Sequence, residues 1–108
     1  MQRLKLPAAN CVLVLRTERM ALFKVGQVVA TPAALAHCNH HSVDALNMIW
    51  RHAGGDWGDL CDDDIAANVH AIQHDLRVLS AYIVGGEKMY VITEWDRTAT
   101  TLLMASEY

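Results

Sequence analysis

The hydrophobic pattern of the chain changes period once, near residue 76, and that change divides it into a helical middle and a β-rich end. From residue 31 to 76 apolar side chains recur at helical spacing. Thr31-Pro32 is a helix start: the threonine hydroxyl can accept a bond from an orphan backbone N–H, and proline at the first helical position gives up an N–H that has no partner there. This first helix is predicted to end near Asn39, a residue that tolerates left-handed backbone. A second is predicted from Ser42, with Val43, Leu46, Ile49, Trp50 and Ala53 on its apolar face and Asp44, Met48 and Arg51 opposite. Gly54-Gly55 stops it. A third starts at Asp62, Asp63 and Asp64, which are expected to cap it and complement the positive end of its dipole. Ile65, Val69, Ile72 and Leu76 follow at steps of four, three and four, a narrow stripe expected to face the core.

Beyond Leu76 the period falls to two. Arg77 to Val84, Met89 to Trp95 and Ala99 to Met104 read as three strands, joined by turns at 85–88 (GGEK) and 96–98 (DRT). Such a meander needs cover on one face, and the helices are the available cover. The expected fold is therefore α+β, with two to three helices packed on one face of a three- to five-stranded antiparallel sheet. Upstream, residues 11–15 (CVLVL) fit a short buried strand, and Val25 to Val29 fit another, with Gly26 at a bulge or a close approach. Residues 1–19 read as an N-terminal extension to a single domain over 20–108, and Met20 stands as an alternative translation start.

Composition adjusts this picture modestly. The 108 residues suffice for one core without a metal or disulfide to hold it. Hydrophobic residues form 53% and charged residues 19%, a balance that leaves apolar surface for a partner or for self-association, including a homodimer. A net charge of −3 disfavours nucleic-acid binding. Cys11, Cys38 and Cys61 are odd in number and form no CxxC pair, and no apolar run approaches the ~20 residues needed to span a bilayer. A cytoplasmic protein without membrane contact is expected.

Candidate chemistry is sparse. The segment GGDWGDLCDDD at 54–64 holds five aspartates beside Trp57. Clustered carboxylates on a loop suit hard cations, but the alternating EF-hand pattern and its closing glutamate are absent. Asp56 and Asp59 are thus expected to bond turn backbone; the alternative is a recognition loop around Trp57. His70 and His74, at i and i+4, could chelate a transition metal from one helix face. They lie roughly 140° and 180° from Ile65 at 100° per residue, facing away from the apolar stripe, and the span HAIQH lacks the glutamate of a zinc protease. His37, His40 and His41 cluster with Cys38 at a helix end and read as caps. No metal or other cofactor is expected.

A polar set on and beside the meander, namely Asn68, Arg77, Asp96, Arg97, Thr100 and Thr101, could stabilise charge on a phosphate. A small hydrolase or nuclease built on it would still need a general base, and no histidine falls in the meander. Nucleophile elbows and phosphate-binding glycine loops are missing too. Asp56, Trp57, Asp59, Arg77, Asp96 and Arg97 remain as candidate binding residues.

Several blocks taken together carry a resemblance: GQVVATPAAL at 26–35, GDWGDL at 55–60, LRVLSAY at 76–82, VITEWDRTATT at 91–101 and EY at 107–108. They resemble a family of small uncharacterised proteins of plasmids and integrated mobile elements, whose members often carry labels such as plasmid-related protein or restriction-modification subunit M. A methyltransferase needs a cofactor glycine loop and an N/D-P-P-aromatic tetrad. This chain has only Pro7 and Pro32, neither in such a motif, so the modification label does not suit the residues. What the resemblance implies is an accessory protein of a mobile element, with no catalytic residues to carry over. The expectation is a small protein-interaction module without catalysis; the alternative is the hydrolase or nuclease on the meander.

Overall fold

The computed structural model describes residues 2–4, as backbone, and 21–108. The strand expected at 11–15 and the alternative start at Met20 lie outside the described residues. Five strands form one sheet: β1 (Gln2–Leu4), β2 (Gln27–Ala30), β3 (Val78–Val84), β4 (Glu87–Thr93) and β5 (Ala99–Met104). Three helices lie between β2 and β3: α1 (Pro32–His40), α2 (Ala45–Ala53) and α3 (Asp62–His74). A 3₁₀ turn at Ala105–Glu107 ends the chain. The α+β architecture is as expected.

The sheet order is β1-β2-β5-β4-β3. β3, β4 and β5 form the antiparallel meander, turning first on Gly85 and Gly86, both at positive φ as a two-residue hairpin requires. The purely antiparallel expectation is corrected at one seam, because β2 runs parallel to β5, with Val28 opposite Thr100 and Ala30 opposite Leu102. Alternation along β2 reports which face is buried but not which neighbour the strand joins. The close approach expected at Gly26 is real: its φ is +63°, and a Cβ there would strike the Arg97 and Thr98 backbone.

Thr31 caps α1 by accepting the Ala34 N–H at 3.1 Å, and its own hydroxyl donates to Glu107 at 2.8 Å, tying the helix to the chain end. The cap of α2 is Asp44, which accepts the Leu46 N–H, rather than Ser42, which sits at φ 55° in the preceding turn. The buried face also differs from the expected one. Met48, Ile49, His52 and Ala53 are buried, so Met48 is core and not surface, while Leu46 and Trp50 are half-buried. At the start of α3 the N-cap residue is Cys61, without a side-chain cap bond; Asp62, Asp63 and Asp64 form the first helical turn.

The main core lies between one sheet face and α1 and α2, joining Val28, Val91 and Leu102 to Ala34, Cys38, Met48 and Ile49. α3 stands at the β3 side of the sheet, where Ala71 and Val78 pack with Trp57 in a smaller cluster. Its expected apolar stripe is not core. Ile65 is 38% exposed, Val69 48% and Leu76 47%, Ile72 is half-buried, and the buried positions are Asn68 and Ala71.

Candidate functional site

The reason Asn68 displaces the stripe is the edge of β3. In an antiparallel pair, alternate residues turn their backbone N–H and C=O away from the partner strand. Leu79, Ala81 and Ile83 do so here, and an edge row of this kind must be satisfied or protected. The Asn68 side chain serves Leu79: its amide donates to the carbonyl at 2.7 Å and its oxygen accepts the N–H at 3.1 Å. The 57–59 loop serves Ala81, whose N–H donates to Trp57 O at 3.0 Å and whose carbonyl accepts the Asp59 N–H at 2.6 Å. Gly58, at φ +75° in the parallel bridge to Ala81, has no room for a Cβ against the Ala81 carbonyl.

Trp57 is therefore an internal anchor of that loop and not an exposed recognition residue. It is 7% exposed, and its indole N–H donates to the His52 carbonyl at 3.0 Å. An aspartate-rich segment suggests a solvated loop, yet its one large ring has a buried acceptor within reach.

Under the meander runs a string of buried polar groups that the sequence pattern hides. His52 Nδ1 lies 2.5 Å from Ser80 Oγ and Nε2 lies 2.8 Å from Thr93 Oγ1. Thr93 meets Thr100 at 2.6 Å, and Thr100 donates to the Val25 carbonyl at 2.7 Å. Only one proton order serves the whole string. Thr100 uses its proton on Val25, so Thr93 must donate to Thr100, and His52 Nε2–H must donate to Thr93. Ser80 then donates to Nδ1, and the imidazole is neutral. Burial, with the Arg97 charge second, pushes the His52 pKa down to about 3. A histidine thus does reach the meander, carried in by α2, but at 0% exposure for His52, Ser80, Thr93 and Thr100 the string is structural. The signal was its place beside Met48, Ile49 and Ala53 on the buried face of α2.

Apart from the buried Trp57, the candidate binding residues separate into two groups. Asp56 and Asp59 line a groove of about 490 Å³ between α2, the 57–59 loop and the end of β3, with Asn47, Met48, Arg51, Tyr82, Ile83 and Val84. Arg51 donates to Asp56 at 2.7 and 3.3 Å and lies over the Tyr82 ring at 4.5 Å. That hydrogen-bonded guanidinium holds the Asp56 carboxyl below the usual range. The Tyr82 hydroxyl donates to the Asp56 carbonyl at 2.6 Å, and burial pushes its pKa up to about 12.

Arg77, Asp96 and Arg97 belong to the other group, around the β4–β5 turn. Arg77 donates to Glu94 at 3.1 Å and to the Tyr108 hydroxyl at 3.2 Å. Asp96 accepts the Thr98 N–H and hydroxyl within its own turn, bonds that lower its pKa. Arg97, at φ 60°, gives its guanidinium to backbone carbonyls: Leu76 at 2.6 Å, Ala71 at 3.0 Å, Glu94 at 3.0 Å and Trp95 at 3.4 Å. It closes the C-terminal end of α3. The polar set expected on the meander is thus divided among an edge cap (Asn68), a buried string (Thr100), an ion pair (Arg77) and a turn (Asp96, Arg97), with Thr101 half-buried on β5 opposite Ile92.

His70 and His74 stack at 4.1 Å on the exposed side of α3. His41 meets the His37 ring at a tilt and the His40 ring edge-on, and His37 binds the Val84 carbonyl at 2.7 Å. Among the described residues, no group of three or more His, Cys, Asp or Glu side chains is placed to hold a metal ion. No described helix is long and apolar enough to cross a membrane.

What the structure leaves outward is an apolar ridge. Ile65 and Val69 are exposed on α3, Leu76 is exposed just past its C-cap, and Trp95 is 62% exposed; one Arg97 nitrogen binds both the Leu76 and the Trp95 carbonyls, which brings those two backbones together. Comparisons with family models, curated proteins and solved structures return no match to this chain.

Proposed function

We propose that the chain is a small protein-interaction module without catalysis, and that it binds through the α3 ridge. The observation behind this reading is the exposure of Ile65 and Val69 on α3, of Leu76 just past its C-cap, and of Trp95. A stripe at helical spacing that faces solvent is the pattern by which an amphipathic helix meets another protein surface. Tryptophan is also a frequent anchor of such contacts. The surface it meets belongs to a partner protein or to a second copy of this chain. The blocks that resemble proteins of plasmids and integrated mobile elements support an accessory role there, with a partner in host defence or plasmid maintenance. The scattering of the polar set over separate structural duties supports binding over hydrolysis.

The test is a double variant, Val69→Glu with Trp95→Ala. Sedimentation and affinity capture from the native host are compared for wild type and variant at matched folding, checked by circular dichroism. The expected result is a dimer or a specific co-purifying protein that the variant loses by at least about tenfold, as a disrupted anchor predicts. A monomeric wild type that retains nothing the variant loses would overturn the reading.

A further inference from the structure

We infer that the groove at the end of β3 is a second binding site, one that takes an extended peptide segment by strand addition at Ile83. β3 is the outer strand of the sheet, and two of its three outward backbone positions are already occupied, Leu79 by Asn68 and Ala81 by the 57–59 loop. The third is Ile83. Its outward N–H and C=O follow from the register, because Val84 opposite Glu87 closes the hairpin and alternate positions turn outward from there. Among the described residues these two groups meet no partner, and Ile83 is 52% exposed.

The path of the chain explains why. Residues 57–59 run beside β3 through a single parallel bridge, then leave it: the Leu60 N–H turns back to Gly58 O at 3.1 Å. The groove opens where that segment departs, and its volume of about 490 Å³ has room for a few residues. Its floor supplies Val43, Met48 and Val84, and its rim supplies Asn47 and Asp59. An unpaired N–H and C=O on a strand edge select an extended backbone as the occupant. Side chains flanking the paired residue would point as Tyr82 and Val84 do, toward the apolar floor, and so select an aliphatic group. The site is separate from the α3 ridge.

The test uses the full chain, ¹⁵N-labelled, with heptapeptides selected against it from a random display library. Selected peptides are expected to share an aliphatic position. At saturation the Ile83 amide should exchange with solvent at least about tenfold more slowly, as a newly formed strand bond requires. Asn47→Trp, at an exposed rim position, should weaken peptide binding at least about tenfold without moving the thermal midpoint. The Val69→Glu, Trp95→Ala variant should bind the peptide as wild type does, so this site and the ridge stand or fall separately. Three results would overturn the inference: no enriched peptide, an enriched peptide that leaves Ile83 exchange unchanged, or Ile83 protection that rises with protein concentration alone. The last would make a second copy the occupant.

Discussion

α2 and α3 both carry a polar residue on the face turned toward the sheet, but for opposite reasons. α2 buries His52 among Met48, Ile49 and Ala53, so the polar group joins an apolar face and must bring its own partners, Ser80 and Thr93. α3 buries Asn68 because the edge of β3 needs an amide there, and Ile65 and Val69 are turned outward while Ala71 stays buried. α2 contributes an apolar face to the main core, whereas α3 adds two hydrogen bonds to a strand edge beside a smaller apolar cluster. A helix that serves an edge keeps its apolar stripe for something else.

The difference can be attacked first at its strongest point. His52→Ala should cost about 3–5 kcal/mol in a denaturant titration, since it opens a cavity and leaves the Ser80 and Thr93 hydroxyls short of partners. A cost under about 1 kcal/mol would mean that the buried string does not form.

Acidification probes the same histidine more gently. Unfolded, His52 takes up a proton as pH falls through about 6.5; folded, only near pH 3. The unfolded state therefore binds more protons in that window. The contribution of a neutral His52 is fully present above pH 6.5 and declines by about 1.4 kcal/mol per unit as pH drops toward 3. Stability curves of wild type and His52→Gln should converge in that range. Parallel curves would show that His52 titrates normally in the fold.

The start of α1, the Gly85-Gly86 hairpin and the three meander strands were legible in the sequence because each rests on local chemistry: Thr31 beside Pro32, two glycines between alternating runs, and a change of period. The parallel seam of β2 with β5 was not legible, since strand alternation carries no address. The facing of α3 was misread because hydropathy ranks Asn68 as surface and Val69 as core. That scale counts side-chain transfer and is blind to an unpaired strand edge. The burial of Trp57 and of His52 was missed alike, one inside an acidic segment and one between Arg51 and Ala53, where only tertiary partners show that burial costs little. Of the candidate site, Asp56 and Asp59 do share a groove, but Arg51 and Ile83, which shape it, had no signature of their own.

Smaller effects should mark the outward face. Ile65→Ala and Leu76→Ala are expected to move stability by no more than about 0.5 kcal/mol, the range of surface substitutions, in the same titration. A loss above about 2 kcal/mol at either would return the stripe to the core.

The most direct test compares neighbours on one helix, the unfolding free energies of Asn68→Ala and Val69→Ala measured side by side. Asn68→Ala removes both partners of Leu79 and should cost about 2–4 kcal/mol, from about 1–3 for each backbone group left wanting. Val69→Ala should stay within about 0.5 kcal/mol. The reverse order, with Val69→Ala the costly change and Asn68→Ala nearly silent, would contradict the orientation of α3 and with it the binding ridge.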